Sequence, residues 1–392
     1  MPQTVVSLTP VPVSQDSRAF KIAATLAACG LRSVVVEAAG GARVPGGYFD
    51  VVTAAGAGGP AGSGTAAVPG ALERVAGWAR FLRSYFRRHV LGPLRVMPRA
   101  SVYYLHGPYQ FPAVFIACLR YGSRFVYDIH DFYPLVDPHR LYRWLDRQCV
   151  RRAAAVVTVS DGIAGMVESA YGRRPEVVRN CHDARLDAAP PAGLRATLGL
   201  GDEVFLLVSI GHGGKSGQAV PEAVRALRML PGHVHLALVG RGHEDCIALA
   251  RSIGVQARVH AVDPVAPNAV VPFVAGADAS LVLYFPENAD YLHALPNKLF
   301  QSIAAGLPVL YDPSLPEIAR IVSGPGIGVQ VDPRSPESIA GGVRVVLDPR
   351  RREVLKRRTD DAREALSWEA EERGLISTLG RVMGVTLRRG SP

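Results

Sequence analysis

At 392 residues, 48% of them hydrophobic, the chain exceeds what one ordinary core organises and suits two domains of roughly 100 to 200 residues each. Lysine and arginine outnumber aspartate and glutamate by 44 to 34, which favours negatively charged partners, while no apolar run approaches the roughly 20 residues that cross a bilayer. The first twenty residues lack a charged start followed by an apolar block, and Cys29, Cys118, Cys149, Cys181 and Cys246 stand apart without a CxxC pair. A cytoplasmic protein without a disulfide framework or a zinc site is expected.

In chain order, short β-branched or aliphatic runs predict strands at Val5–Leu8 and Ser33–Val36. Ala38–Gly70, dominated by glycine, alanine and proline, reads as a mobile loop with only Tyr48–Val52 strand-like. Leu72–Arg99 carries seven arginines against one glutamate, interleaved with Trp78, Phe81, Tyr85 and Phe86. Such a helix can lie on a membrane surface; the plainer reading is a solvated basic face whose aromatic side packs on its own domain, because the aromatics recur at core-stripe spacing. No nucleic-acid reading motif accompanies the arginines. Strands follow at Val102–Leu105, Phe125–Asp128 and Ala155–Val159, and a boundary at Arg179–Gly201 around Pro190 and Pro191. A second series comprises Val204–Ile210, Val234–Val239, Val259–Ala261, Ala279–Leu283, Val309–Tyr311 and Gly328–Val331. Pro349–Pro392 is charged and helical in pattern, anchored by Trp368, Leu375, Ile376 and Leu379.

Strands alternating with helical patterns predict an α/β protein of two doubly wound parallel sheets, with ligands in a cleft at the carboxyl ends of the strands. The domains are expected at 1–185 and 195–365, with 366–392 a final helix crossing back to the first. Within this frame Asp290–Leu310 carries most information. Pro296 fits a helical first turn, and Asn297 and Lys298 sit beside backbone amides and a dipole that attract anions. Leu299, Phe300, Ile303 and Ala304 face a sheet, and Gly306 suits a left-handed C-terminal position.

Two glycine-rich turns resemble nucleotide motifs and fail them. Ser209–Ser216 has serine where a P-loop needs glycine, and Gly240–Asp245 has aspartate where a dinucleotide fingerprint needs one. The first can still cradle phosphate through its amides and Lys215. Histidines 106, 130, 182, 212 and 293 fall at strand ends or in cleft loops. His130 is the best placed, projecting beyond Phe125–Asp128, with Asp131 to orient it or to cap the next helix.

These residues together resemble a retaining glycosyltransferase of the GT-B fold, in the family 4 group. The likeness rests on Asp16-Ser-Arg18 through Val34, on Tyr127-Asp-Ile-His-Asp-Phe-Tyr-Pro134, on Ala277-Asp278 with Ser280–Leu283, and on Pro296-Asn-Lys-Leu-Phe to Ala305-Gly-Leu-Pro-Val309. The resemblance implies two Rossmann-like domains facing a central cleft, the C-terminal one holding a nucleotide sugar and the N-terminal one the acceptor. It implies His130 and Asp131 as catalytic residues, and Asp16, Arg18 and His106 on the acceptor. For the donor it implies His212, Lys215, His293, Pro296, Asn297, Lys298 and Gln301. Neither metal nor cofactor is implied beyond the donor, with UDP or GDP the expected nucleotide.

Members commonly carry two glutamates where His293 and Gln301 stand, and an arginine where His212 stands, so the charged contacts are thinned. The expected activity is transfer of a hexosyl unit from a nucleoside diphosphate to a small-molecule or lipid-carrier acceptor. Arginine, alanine and glycine richness suits a GC-rich bacterium and specialised metabolism such as antibiotic assembly. The alternatives are a sugar-nucleotide epimerase or hydrolase on the same fold, and a non-catalytic sugar-nucleotide-binding partner.

Overall fold

The computed structural model describes residues 3–38, 40, 47–54, 71–136, 139–213, 218–285 and 292–390, and only the backbone at 71–76 and 136. Lys215, Asp290, Tyr291 and much of the glycine-rich Ala38–Gly70 stretch lie outside the described residues. The chain divides into two compact units. The first comprises Met1–Thr158, Ala164–Val178 and Glu372–Pro392; the second comprises Val159–Ile163 and Arg179–Glu371.

The first unit is built on β1 (Thr4–Thr9), β2 (Arg32–Glu37), β3 (Asp50–Thr53), β4 (Val102–His106), β5 (Arg124–Ile129), β6 (Ala155–Thr158) and β7 (Glu176–Val177). These form a seven-stranded sheet in the order β3-β2-β1-β4-β5-β6-β7, all parallel. The second contains β8 (Phe205–Ile210), β9 (Val234–Val239), β10 (Val259–Val262), β11 (Ala279–Val282), β12 (Val309–Tyr311) and β13 (Gly328–Gln330). Its six-stranded sheet runs β10-β9-β8-β11-β12-β13, again all parallel. Central strands covered on both faces read as continuous apolar runs, and β8 is buried at all six positions.

Each unit therefore has the doubly wound order, and in each the winding reverses between two neighbouring central strands: β1 and β4 in the first, β8 and β11 in the second. Connections leaving such neighbours run to opposite faces, opening a crevice at their carboxyl ends.

Helices seal the faces. In the first unit Ser17–Ala28 buries Ala19, Ile22, Ala23 and Leu26 and is capped by Asp16, whose carboxylate accepts from the Ala19 amide at 3.0 Å. The terminal helix Trp368–Met383 begins in the second unit and ends in the first. Within the first unit Glu372 accepts from the Thr25 hydroxyl at 2.9 Å and from Arg389 at 2.7 Å. Arg124 donates to the Val382 carbonyl, and the Gly390 amide to that of Ala28. Trp368, Leu375 and Leu379 are fully buried, as their anchoring role requires.

The two motif-like glycine turns serve packing. A side chain at Gly240, whose φ is 147°, would place its Cβ 1.9 Å from the Gly211 carbonyl oxygen, and one at Gly213 would lie 2.1 Å from that of Gly242. The loops after β8 and β9 thus press backbone against backbone, which only glycine permits. Gly240→Ala should destabilise the protein by about 2–5 kcal/mol in denaturant unfolding, combining left-handed strain with overpacking. Gly232→Ala, with nothing near its Cβ and no positive φ, should stay within about 0.5 kcal/mol.

Candidate functional site

The crevice of the first unit gathers a buried charge cluster. Strand pairing sets His106 of β4 opposite Asp128 of β5. Alternation then puts Tyr104 on the face of His106 and His130 on that of Asp128. Asp128 is wholly buried and accepts from Arg18 Nε at 2.9 Å and Nη2 at 2.9 Å, and from the Tyr104 hydroxyl at 3.2 Å. The remaining Arg18 nitrogen, Nη1, donates to the Val178 carbonyl at 2.7 Å. Arg18 is only 2% exposed, so it orders this cluster from beneath, whereas the sequence placed it against the acceptor.

His106 Nδ1 lies 3.2 Å from His130 Nε2, and both stand beside Asp128, at 3.6 and 3.7 Å. At that range the carboxylate acts on the rings as a charge, while the hydrogen bond joins the two histidines. The carboxylate beside His130 is thus Asp128; Asp131, the residue the sequence singled out, is exposed just beyond. The reason is parity: positions 128 and 130 share a strand face and 131 does not.

Burial works against every charge here, and the cluster overcomes it unevenly. Burial opposes ionisation of Asp128 and Asp16, yet Arg18 and His130 hold Asp128 far below the usual carboxylate range. His130, His106, the Ala19 amide and the Thr9 hydroxyl hold Asp16 below it as well. Burial pushes His106 down to about 4, with His130 and Arg18 adding to the fall. Burial disfavours the charged form of His130 too, but Asp128 and then Asp16 raise it above its ordinary value. The charge therefore rests on His130. His106 Nδ1 and His130 Nε2 share one proton across their contact, and His106 Nε2 is buried without a partner among the described residues. His130 is about a quarter exposed.

Among the described residues, His106, Asp128 and His130 are also the group whose donor atoms could close on a metal ion. Arg18 already neutralises Asp128 in a pocket without solvent, so a dication would add to a buried guanidinium charge. The charge balance suits a proton.

The second unit places its polar groups at its own crevice. The Asn297–Ala304 helix is eight residues long, and its N-cap is Pro296, with φ −72° and ψ 144°. Proline therefore stands one position before the first turn, where its carbonyl accepts from the Leu299 amide at 3.0 Å. Leu299, Phe300 and Ile303 are buried, and Gly306 adopts φ 72° just past the helix. Lys298 is 7% exposed; its ammonium donates to Gln218 Oε1 at 3.1 Å and lies 4.8 Å from the centre of the Tyr284 ring. It also lies 3.6 Å from where a Cβ on Gly211 would stand, so it reaches the carboxyl end of β8. Exposed His212 follows Gly211, and His243 Nε2 donates to the Gly211 carbonyl at 3.2 Å.

His293, expected at the donor, packs against Ser160 and Gly162. Its carbonyl accepts from Ser160 Oγ at 2.7 Å, and its Nδ1 lies against Gly162, whose Cβ would stand 2.4 Å away and 3.0 Å from Glu317 Oε1. Asn297 is exposed and bonded to Asn180; Gln301, one turn later, is half-buried. Tyr104, Gln218 and Tyr284 complete these two sites without having been singled out in the sequence, and Asp128 stood in the Tyr127–Pro134 motif without a role of its own. For Asp128 the signal was its two-residue spacing from His130.

Two family models match the chain: Glycosyltransferase Family 4 over residues 18–186 and Glycosyl transferases group 1 over residues 207–348. No protein of curated function matches it by sequence. Its fold is similar to sucrose-phosphate synthase from Thermosynechococcus elongatus, with a TM-score of 0.70, 14% identity, and coverage of 97% of this chain and 99% of that chain. HepE from Anabaena, in complex with UDP and glucose, gives 0.67 at 16%, covering 96% and 99%. WaaG, a glycosyltransferase involved in lipopolysaccharide biosynthesis, gives 0.63 at 18%, covering 94% and 98%. At these identities the likeness is one of fold.

The charge assignment is open to titration by NMR of the histidine ring protons. His130 should titrate above the ordinary value of about 6.5 and His106 at about 4. In Asp128→Asn the His130 pKa should fall, because burial then acts unopposed by that carboxylate. A wild-type His130 titrating below about 6.5 would contradict the cluster as described.

Proposed function

The chain belongs to the family 4 glycosyltransferases, and from that premise we propose that it moves a sugar from a nucleoside diphosphate to a hydroxyl, amine or thiol of a small-molecule or lipid-carrier acceptor. The observation that carries this reading is Lys298, seated at a helix start beside the strand-end glycine turn of the second unit. A helix N-terminus and a largely buried ammonium offer what a diphosphate leaving group needs as charge develops on it. Lys215, from the same glycine-rich segment, is assigned to the phosphates with it, and this pair would make a metal unnecessary.

In the transfer the C1–O bond to the diphosphate breaks, and the acceptor bonds to C1 on the same face. The acceptor proton passes to the departing phosphate oxygen. Retention is inferred from the family resemblance. UDP and GDP are the favoured nucleotides, and the complex of HepE with UDP and glucose supports a donor of that class. Gln301, an amide with both donor and acceptor capacity, is assigned to the ribose hydroxyls, and His293, half-buried, to a supporting place beside Glu317. The first unit takes the acceptor. With its pKa raised, His130 is assigned as a hydrogen-bond donor that orients the reacting groups and stabilises charge. Asp128 and Asp16 favour its protonated state, while Arg18 opposes it as a charge but orders Asp128, and His106 bonds the inner nitrogen of His130.

Incubation with a panel of labelled nucleotide sugars and candidate acceptors tests the reading. Nucleotide release should depend on acceptor and survive chelation of divalent ions. Release or interconversion without acceptor would replace transfer by hydrolysis or epimerisation. Lys298→Ala should cost about 1–3 kcal/mol, roughly ten- to hundredfold, in donor affinity or transfer rate. His130→Ala should lower turnover more than donor affinity. Unchanged kinetics in Lys298→Ala would remove the proposed donor site.

A further inference from the structure

The basic helix of the first unit divides its aromatic residues between two destinations. Phe81 stacks on His139 at 5.4 Å and meets Tyr142 edge-on at 6.2 Å. Tyr85, 5% exposed, donates to the Tyr109 carbonyl at 2.8 Å. Those two pack as a core stripe should. Trp78, Leu82 and Phe86 stay at the surface, 50%, 43% and 54% exposed, although one edge of Trp78 meets Phe81 at 5.7 Å and His139 at 6.5 Å. Their four-residue spacing lines them along one flank of the Ala71–Tyr85 helix and its π-helical continuation Phe86–Leu91, and Leu91 extends the exposed apolar surface at 44%. Arg80, Arg83 and Arg87 are exposed on the same segment, and from Gly77 to Arg99 there are six arginines and no carboxylate.

We propose that this flank is a docking surface for an anionic lipid bilayer, with Trp78, Leu82 and Phe86 entering the boundary between headgroups and acyl chains and the arginines meeting lipid phosphates. The shape of the patch selects this occupant. Trp78, Leu82 and Phe86 form a stripe about 12 Å long on the helix, extended by Leu91, where a stable protein interface takes roughly 800 Å² per partner. A bilayer needs only such a stripe, lying in its surface. Charge selects the lipid: cations flanking apolar groups complement anionic headgroups and gain little from neutral ones. Tryptophan suits this boundary, its ring apolar and its N–H able to bond headgroup oxygens. No helix among the described residues is long and apolar enough to cross a membrane, so the contact is a surface one. The inference does not depend on the proposed reaction.

Co-sedimentation of the full chain with vesicles tests it, using pure phosphatidylcholine and a mixture of phosphatidylcholine and phosphatidylglycerol at about three to one. Retention on the mixed vesicles should exceed that on phosphatidylcholine at least tenfold and be lost in high salt. Trp78 fluorescence should shift to the blue on binding, a change absent from Trp78→Phe. The double variant Leu82→Ser with Phe86→Ser, and separately Arg83→Glu with Arg87→Glu, should each lose about tenfold in retention with an unchanged melting temperature, because these side chains are exposed. Equal retention on both vesicle types, or full binding by both double variants, would overturn the proposal. So would a wild-type dimer in sedimentation equilibrium that the same substitutions dissociate, since the occupant would then be a second copy of the chain.

Discussion

A carboxylate without solvent can hold its charge only where cations and donors surround it, and Asp128 is where the first unit meets that condition. Arg18 comes from the first helix, 110 residues earlier in the chain, and Tyr104 from the neighbouring strand. The pair fixes the first helix against the central strands, and His106 and His130 take their protonation from it. Removing one partner would strand a buried charge, which is far costlier than replacing both. Architecture and chemistry in this unit therefore share one ion pair.

The second unit solves a different problem. It must bring a cation and a helix start to the end of a central strand without filling the space a ligand would use. Glycines at 211, 213, 240 and 242 let the loops after β8 and β9 close on each other by backbone alone. Lys298 comes down against Gly211 from the following helix, braced by Gln218 and the Tyr284 ring. The two units thus repeat one sheet order and place different groups at the reversal: a carboxylate paired with a guanidinium in one, an ammonium in the other.

Much of this was legible in the sequence because parallel strands announce themselves as apolar runs. Eleven predicted strands and Tyr48–Val52 recur within one or two residues, while β7, two residues with exposed Glu176, carried no such pattern. The helix at Asn297 was legible from Pro296, the apolar spacing and Gly306. The acid beside His130 was misplaced because adjacency in sequence drew attention to Asp131, whereas a strand pairs residues two apart. The partnership of Arg18 with Asp128 lay beyond sequence reading altogether, since only the sheet brings those elements together. The packing role of the two glycine turns needed the register of β8 with β9. In the basic helix, spacing identified a core stripe, and the structure assigns only Phe81 and Tyr85 to it.

The central claim is that the second unit grips a nucleoside diphosphate through Lys298 and its helix start. Thermal denaturation with UDP, GDP, ADP and dTDP in turn, in the presence of a chelator, measures this most directly. The account predicts that one of these raises the melting temperature of the wild type and, at the same concentration, raises that of Lys298→Ala clearly less. No shift with any of them, or an equal shift in the variant, would contradict it.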